Sequence, residues 1–159
     1  MKELAELFSD EGCTDVRTFI QSGNVLFNAP GHLVSSLGDS LPHRILAAFG
    51  CSVPVVLREI RHVEAVLDNN PYLRAGKPEE TLYVAFLREE PTADQISSLD
   101  PDRSPPDQFA VVGREVFLHL PNGVANSKLT NAYFDSKLKT VSTARNWRTV
   151  TTLYEMMKG

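Results

Sequence analysis

Two glycine-bearing dipeptides, Ser22-Gly23 and Gly113-Arg114, each sit between runs of β-branched and aromatic residues. Val16-Arg17-Thr18-Phe19-Ile20-Gln21 leads into the first, and Asn24-Val25-Leu26-Phe27 leaves it. Phe109–Val112 and Glu115–Leu120 flank the second. Glycine takes positive φ at no steric cost, so a two-residue turn is expected to fold each pair of runs into an antiparallel hairpin. Glycine at the first central position marks the second turn as type II′. A two-stranded hairpin is not stable alone, so each needs amphipathic helices or further strands packed against it.

The surrounding sequence supplies them. Leu4, Leu7 and Phe8 fall at helical spacing within residues 2–11, and Gly12 suits the position just past a helix end. Leu37, Leu41, Ile45, Leu46 and Phe49 form an apolar stripe that stops at Gly50. Pro42 fits a first turn best, so the stronger half of this helix is expected to begin near Ser40. Val53–Leu57 reads as a strand with Pro54 at its start or edge, and Glu59–Asn70 as a helix carrying Ile60, Val63, Val66 and Leu67. Further on come a strand at Thr81–Leu87, a short helix at Thr92–Leu99 and a proline-rich loop over residues 100–107. After the second hairpin, a helix capped by Ser127 runs to about Leu138, followed by a short strand at Thr140–Thr143 and a last helix at Asn146–Met157.

Residues 2–57 therefore read helix, strand, strand, helix, strand, and residues 81–143 read strand, helix, strand, strand, helix, strand. The second string is the split β-α-β, ferredoxin-like unit, and the first is that unit without its opening strand. The expected fold is α+β: tandem ferredoxin-like modules with mainly antiparallel sheets and a C-terminal helix. Residues 1–72 form the first module, lacking its first strand, and residues 73–159 the second with its extra helix. A missing central strand exposes unpaired backbone groups, so homo-oligomerisation through that sheet edge is an expected partnership.

Charge and cysteine content narrow the function classes. The chain carries 16 Lys and Arg against 20 Asp and Glu, a net charge of −4, so nucleic acid is not the expected partner. Residues 1–112 hold nine basic and seventeen acidic side chains, whereas residues 113–159 hold seven basic and three acidic. An anionic partner is thus expected at the C-terminal third. No apolar run reaches the ~18 residues of a membrane span, and Met1-Lys2-Glu3-Leu4-Ala5-Glu6 is not a signal peptide. A cytoplasmic setting with no membrane partner is expected. Cys13 and Cys51 each follow a glycine after a helix and read as small buried hydrophobes in a reducing compartment. The split β-α-β order puts them at opposite ends of a sheet, too far apart for a disulfide.

The most suggestive stretch is Pro121-Asn122-Gly123-Val124-Ala125-Asn126-Ser127-Lys128-Leu129-Thr130. A glycine loop entering a helix that carries Ser, Lys and Thr is superficially a phosphate loop. It has one glycine where two are required and its spacing to Lys128 is one residue short, so nucleotide hydrolysis is not expected. Helix N-termini nonetheless hold anions through free N–H groups and the positive dipole end. Asn122, Gly123, Ser127, Lys128 and Thr130 are therefore candidate anion-binding residues. Arg145, Asn146 and Arg148 form a second such group, with Asn146 able to cap the last helix and two arginines offering bidentate donors. Trp147 beside them reads as core packing rather than as a stacking platform. His32, His43, His62 and His119 are scattered and the cysteines are apart, so neither a metal nor another cofactor is expected.

Three motifs in order carry a family resemblance: Val16–Phe27, then Val112–Gly123 followed by Ser127-Lys128-Leu129-Thr130-Asn131, then Thr143-Ala144-Arg145-Asn146-Trp147-Arg148-Thr149-Val150. Together they resemble the bacterial family catalogued as domain of unknown function 1697. The resemblance implies an α+β fold of two ferredoxin-like halves and brings no established activity. It also implies an opening strand and glycine-rich loop ahead of the first helix. Here Met1 falls at the start of that helix, so a truncated or misassigned start is expected.

The expected function is a binding module whose cleft between the halves holds a small anionic or phosphate-bearing ligand. One alternative is an enzyme with key residues partly in that absent loop and Lys128, Arg145 and Arg148 as electrostatic stabilisers. The other is a protein-interaction module using open sheet edges.

Overall fold

Leu7 and Phe8, at helical spacing, are buried on one side of helix α1 (Lys2–Asp10) in the computed structural model, which describes residues 2–19 and 23–158. Gly12 ends the helix at φ 100°, and Cys13 N–H closes onto the Phe8 carbonyl at 3.1 Å. The chain is mixed α and β, its sheets are antiparallel, and it ends in a helix. It divides into two units, Met1–Leu57 with Glu155–Gly159 and Arg58–Tyr154.

In the first unit, strands β1 (Thr14–Phe19) and β2 (Asn24–Asn28) form the first expected hairpin. Asn24 pairs with Phe19, and the turn expected at Ser22-Gly23 falls between them. Ile20, Gln21 and Ser22 lie outside the described residues. Asp15 at φ 50° accompanies a register break between Thr14 and Arg17, the signature of a bulge. Beyond it Val16, Val25 and Phe27 pack toward Leu7, Phe8, Cys13, Leu37, Leu41 and Ile45. Arg17, one residue on from Val16, donates to the Met156 carbonyl at 2.8 Å.

Helix α2 (Gly31–Phe49) runs unbroken through Pro42 instead of starting near Ser40. Leu37 and Leu41 are fully buried and Ile45 nearly so. Burying each such side chain contributes about 1.5–3 kcal/mol, which together exceeds the ~3 kcal/mol cost of an interior proline. Val53–Leu57 is not a strand: the segment joins no ladder, although Val55 and Leu57 still pack against the core. Its β-branched side chains suit a sheet, but among the described residues the first unit's sheet has only β1 and β2. Cys13 is buried as expected, whereas Cys51 is exposed because it follows the left-handed Gly50 out of α2; both are free thiols.

The second unit opens with helix α3 (Ile60–Asp68), whose Glu59 N–H is accepted by His62 Nδ1 at 3.0 Å. A single turn, α4 (Pro71–Arg74), is capped by Asn70. Then follow β3 (Leu82–Leu87), α5 (Ala93–Ser97), β4 (Gln108–Val112), β5 (Glu115–His119), α6 (Asn131–Leu138), β6 (Ser142–Asn146) and α7 (Trp147–Lys158). The four strands lie in the order β4-β5-β3-β6 and every pairing is antiparallel. Val112 pairs with Glu115 across a two-residue loop, and Gly113 takes φ 59°, as the second hairpin requires. Strand β6 starts later than Thr140 because Lys139 breaks α6 in the left-handed region, which carries Arg145 and Asn146 into the ladder opposite Val84 and Tyr83. One sheet face packs Ala85, Leu87, Val116 and Leu118 against Leu129, Tyr133, Phe134 and Leu138.

Candidate functional site

The segment from Pro121 to Asn131 connects β5 to α6 and holds most of the candidate residues. Gly123 takes φ 84°, a backbone region that favours glycine, and its N–H bonds the Leu120 carbonyl at 3.1 Å. Asn126 closes back on the Asn122 carbonyl at 2.9 Å, around the 3-10 turn Val124–Asn126. Asn122 and Gly123 thus shape the loop.

Ser127 does not cap α6. Its Oγ accepts the Leu129 N–H at 3.0 Å, a local turn, and the N-cap is Thr130, whose Oγ1 accepts from Tyr133 N–H at 3.2 Å. The physical reason lies in the next two residues: Leu129 is buried in the core, and Lys128 N–H donates to Ser104 Oγ at 2.9 Å, which holds this stretch extended until Thr130. Ser104 in turn donates to Asp107 Oδ2 at 2.8 Å, both residues being buried. Arg103 Nε donates to the Lys128 carbonyl at 2.9 Å, and its guanidinium lies 4.0 Å from the Tyr133 ring centroid. The structure therefore joins Lys128 to Arg103 and Ser104, two residues absent from the sequence-based set. No local motif marks them, since they reach the loop only through the tertiary fold.

The second group sits at the β6–α7 junction. Asn146 Oδ1 accepts from Thr149 N–H at 2.8 Å and caps α7 as expected. Trp147 is 2% exposed, so its ring is core and not a stacking surface. Arg145 is half-buried in the ladder and donates to the Ala144 carbonyl at 2.8 Å; burial pushes its guanidinium below its ordinary pKa. Arg148 is exposed and its carbonyl accepts the Thr151 and Thr152 hydroxyls. The two groups enter the fold on different elements, loop and α6 for one, β6 and α7 for the other.

A third cluster was not among the candidates. His119 is buried, stacks on Tyr72 with ring centroids 5.9 Å apart, and pairs its Nδ1 with Gln108 Oε1 at 3.2 Å. Burial, then Lys77, pulls its pKa down, while Asp107 opposes them. A buried, stacked imidazole of this kind is a packed side chain. Among the described residues no group of three or more His, Cys, Asp or Glu is placed to hold a metal ion. No helix in the described residues is long and apolar enough to cross a membrane.

A family model described as protein of unknown function (DUF1697) matches residues 1–117. The chain belongs to this family. No curated protein and no solved structure matches it. The DUF1697 match ends inside β5, at Phe117, so it takes in the first hairpin motif, Arg103 and Ser104. Lys128, Thr130 and the Arg145–Arg148 group lie beyond it.

Proposed function

We propose that this DUF1697 chain is a binding module for a small anionic or phosphate-bearing ligand, held at the head of α6 in the second unit. The observation that carries the reading is the anchoring of Lys128. Its backbone is fixed on both sides, N–H to Ser104 and C=O to Arg103, while its side chain remains exposed just ahead of a helix N-terminus. Thr130 takes up the Tyr133 N–H, and the Asn131 and Ala132 N–H groups of that first turn are offered to a ligand. The excess of basic residues over positions 113–159 supports the same sign of ligand.

The reading rests on a tandem split β-α-β plan, for which the order β4-β5-β3-β6 gives support in the second unit, and on a reducing, cytoplasmic setting, for which the free thiols Cys13 and Cys51 give support.

Calorimetric titration with inorganic phosphate and pyrophosphate at low salt tests the proposal. Saturable binding that weakens at least tenfold in Lys128→Ala is the expected result. Binding of neither anion, or equal affinity in the wild type and Lys128→Ala, overturns it.

A further inference from the structure

In the first unit a groove of about 390 Å³ opens between α1 and the last turns of α2. Its two walls differ in chemistry. Glu3, Glu6 and Asp10, at helical spacing on α1, line one side with carboxylates. Ala47, Ala48 and Phe49 form the other, with Leu7 between them. Phe49 is 44% exposed, a large apolar ring left at the surface. Among the described residues the one cation on the lining, Arg44, is engaged by Glu11 at 3.3 Å.

The backbone adds to the negative field. Ala47, Ala48 and Phe49 are the last residues of α2, and its final turn contains no basic side chain to offset the negative end of the helix dipole. The last turn of α1 contains none either. An apolar wall, a row of carboxylates and a helix C-terminus together select one kind of occupant. It must bring an apolar side chain to Phe49 and set positive charge opposite Glu6 and Asp10. Lysine and arginine do both at once, because their aliphatic stems lie along apolar surface while their charged heads reach outward.

We infer that this groove docks a basic amphipathic segment of a partner protein, through an apolar anchor against Phe49 and flanking Lys or Arg against Glu6 and Asp10. The site is in the first unit and shares no residue with the head of α6, so either proposal can fail without the other.

Fluorescence anisotropy with a labelled helical peptide of Lys and Leu in amphipathic order, against the full chain, tests this. A matching Glu and Leu peptide and spermine are the controls. Saturable binding of the Lys/Leu peptide that weakens with salt is expected, with no binding of the Glu/Leu peptide. Glu6→Gln with Asp10→Gln should weaken the affinity at least tenfold, and Phe49→Ser several-fold. All three side chains are exposed, so the variants should keep the wild-type thermal midpoint, read on the same samples. No binding, binding indifferent to these substitutions, or spermine binding as tightly as the peptide with Phe49→Ser without effect would each overturn the inference. Sedimentation velocity showing self-association that Glu6→Gln abolishes would overturn it too, by assigning the groove to a second copy of the chain.

Discussion

The Arg58 guanidinium sits 3.1 Å from the Glu115 carboxylate in the second unit, with the two side chains 7% and 16% exposed. The same guanidinium donates to the Leu87 carbonyl at 2.6 Å and the Arg114 carbonyl at 2.9 Å, and lies 5.5 Å from the Phe86 ring centroid. One side chain thereby ties the β4–β5 turn to the end of β3. Burial lowers its pKa, Glu115 opposing that shift, and the ion pair persists because its hydrogen bonds are satisfied on several sides.

Removing one partner of such a pair leaves a buried charge and orphaned carbonyls. Arg58→Met should destabilise the chain by roughly 3–5 kcal/mol in urea denaturation, and Arg58→Met with Glu115→Gln should recover part of that loss. Equal destabilisation in the single and double variants would mean that the uncompensated carboxylate is not the source.

His119 gives stability a pH dependence of defined sign. Its folded pKa lies below the ordinary value of about 6.5, chiefly through burial, so the unfolded chain takes up its proton first on acidification. The His119 contribution is full above the unfolded pKa and is lost as pH falls from about 6.5 toward the lower folded value. Urea midpoints of the wild type should therefore drop between pH 7 and 5 by more than those of His119→Gln. Parallel profiles would show that burial leaves the imidazole unperturbed.

The capping of α6 separates two hydroxyl residues three positions apart. Thr130→Ala removes the acceptor for Tyr133 N–H and should cost about 1 kcal/mol, whereas Ser127→Ala removes only a local turn bond and should cost a few tenths. Chemical denaturation of the two variants decides, and a reversed order would return the cap to Ser127.

These cases also show where local reading works in this chain. The Gly113-Arg114 turn was legible because a two-residue loop and a positive φ are properties of the residues themselves. The α6 cap was not, because Ser127 and Thr130 are chemically alike and the choice between them is made by Ser104, more than twenty residues away. Pro42 pointed to a helix start, yet the buried row Leu37, Leu41 and Ile45 carried α2 straight through it. Val53–Leu57 has strand composition, but a ladder is a property of a neighbour, and composition does not supply one. Among the candidate residues, Lys128 was legible as a cation near a helix start, although as one inside the helix rather than ahead of it; Arg103, which fixes its carbonyl, was visible only in three dimensions.

The contrast between the two thiols has a practical consequence. Cys51 is open to solvent, while Cys13 is enclosed among Leu7, Phe8 and Leu37, and burial together with Glu11 pushes its pKa up. An alkylating reagent will consume one thiol quickly and must wait for the other. That delay is a built-in clock: the rate at which the second equivalent reacts measures how often the core beneath α1 and α2 opens, with no label or substitution introduced.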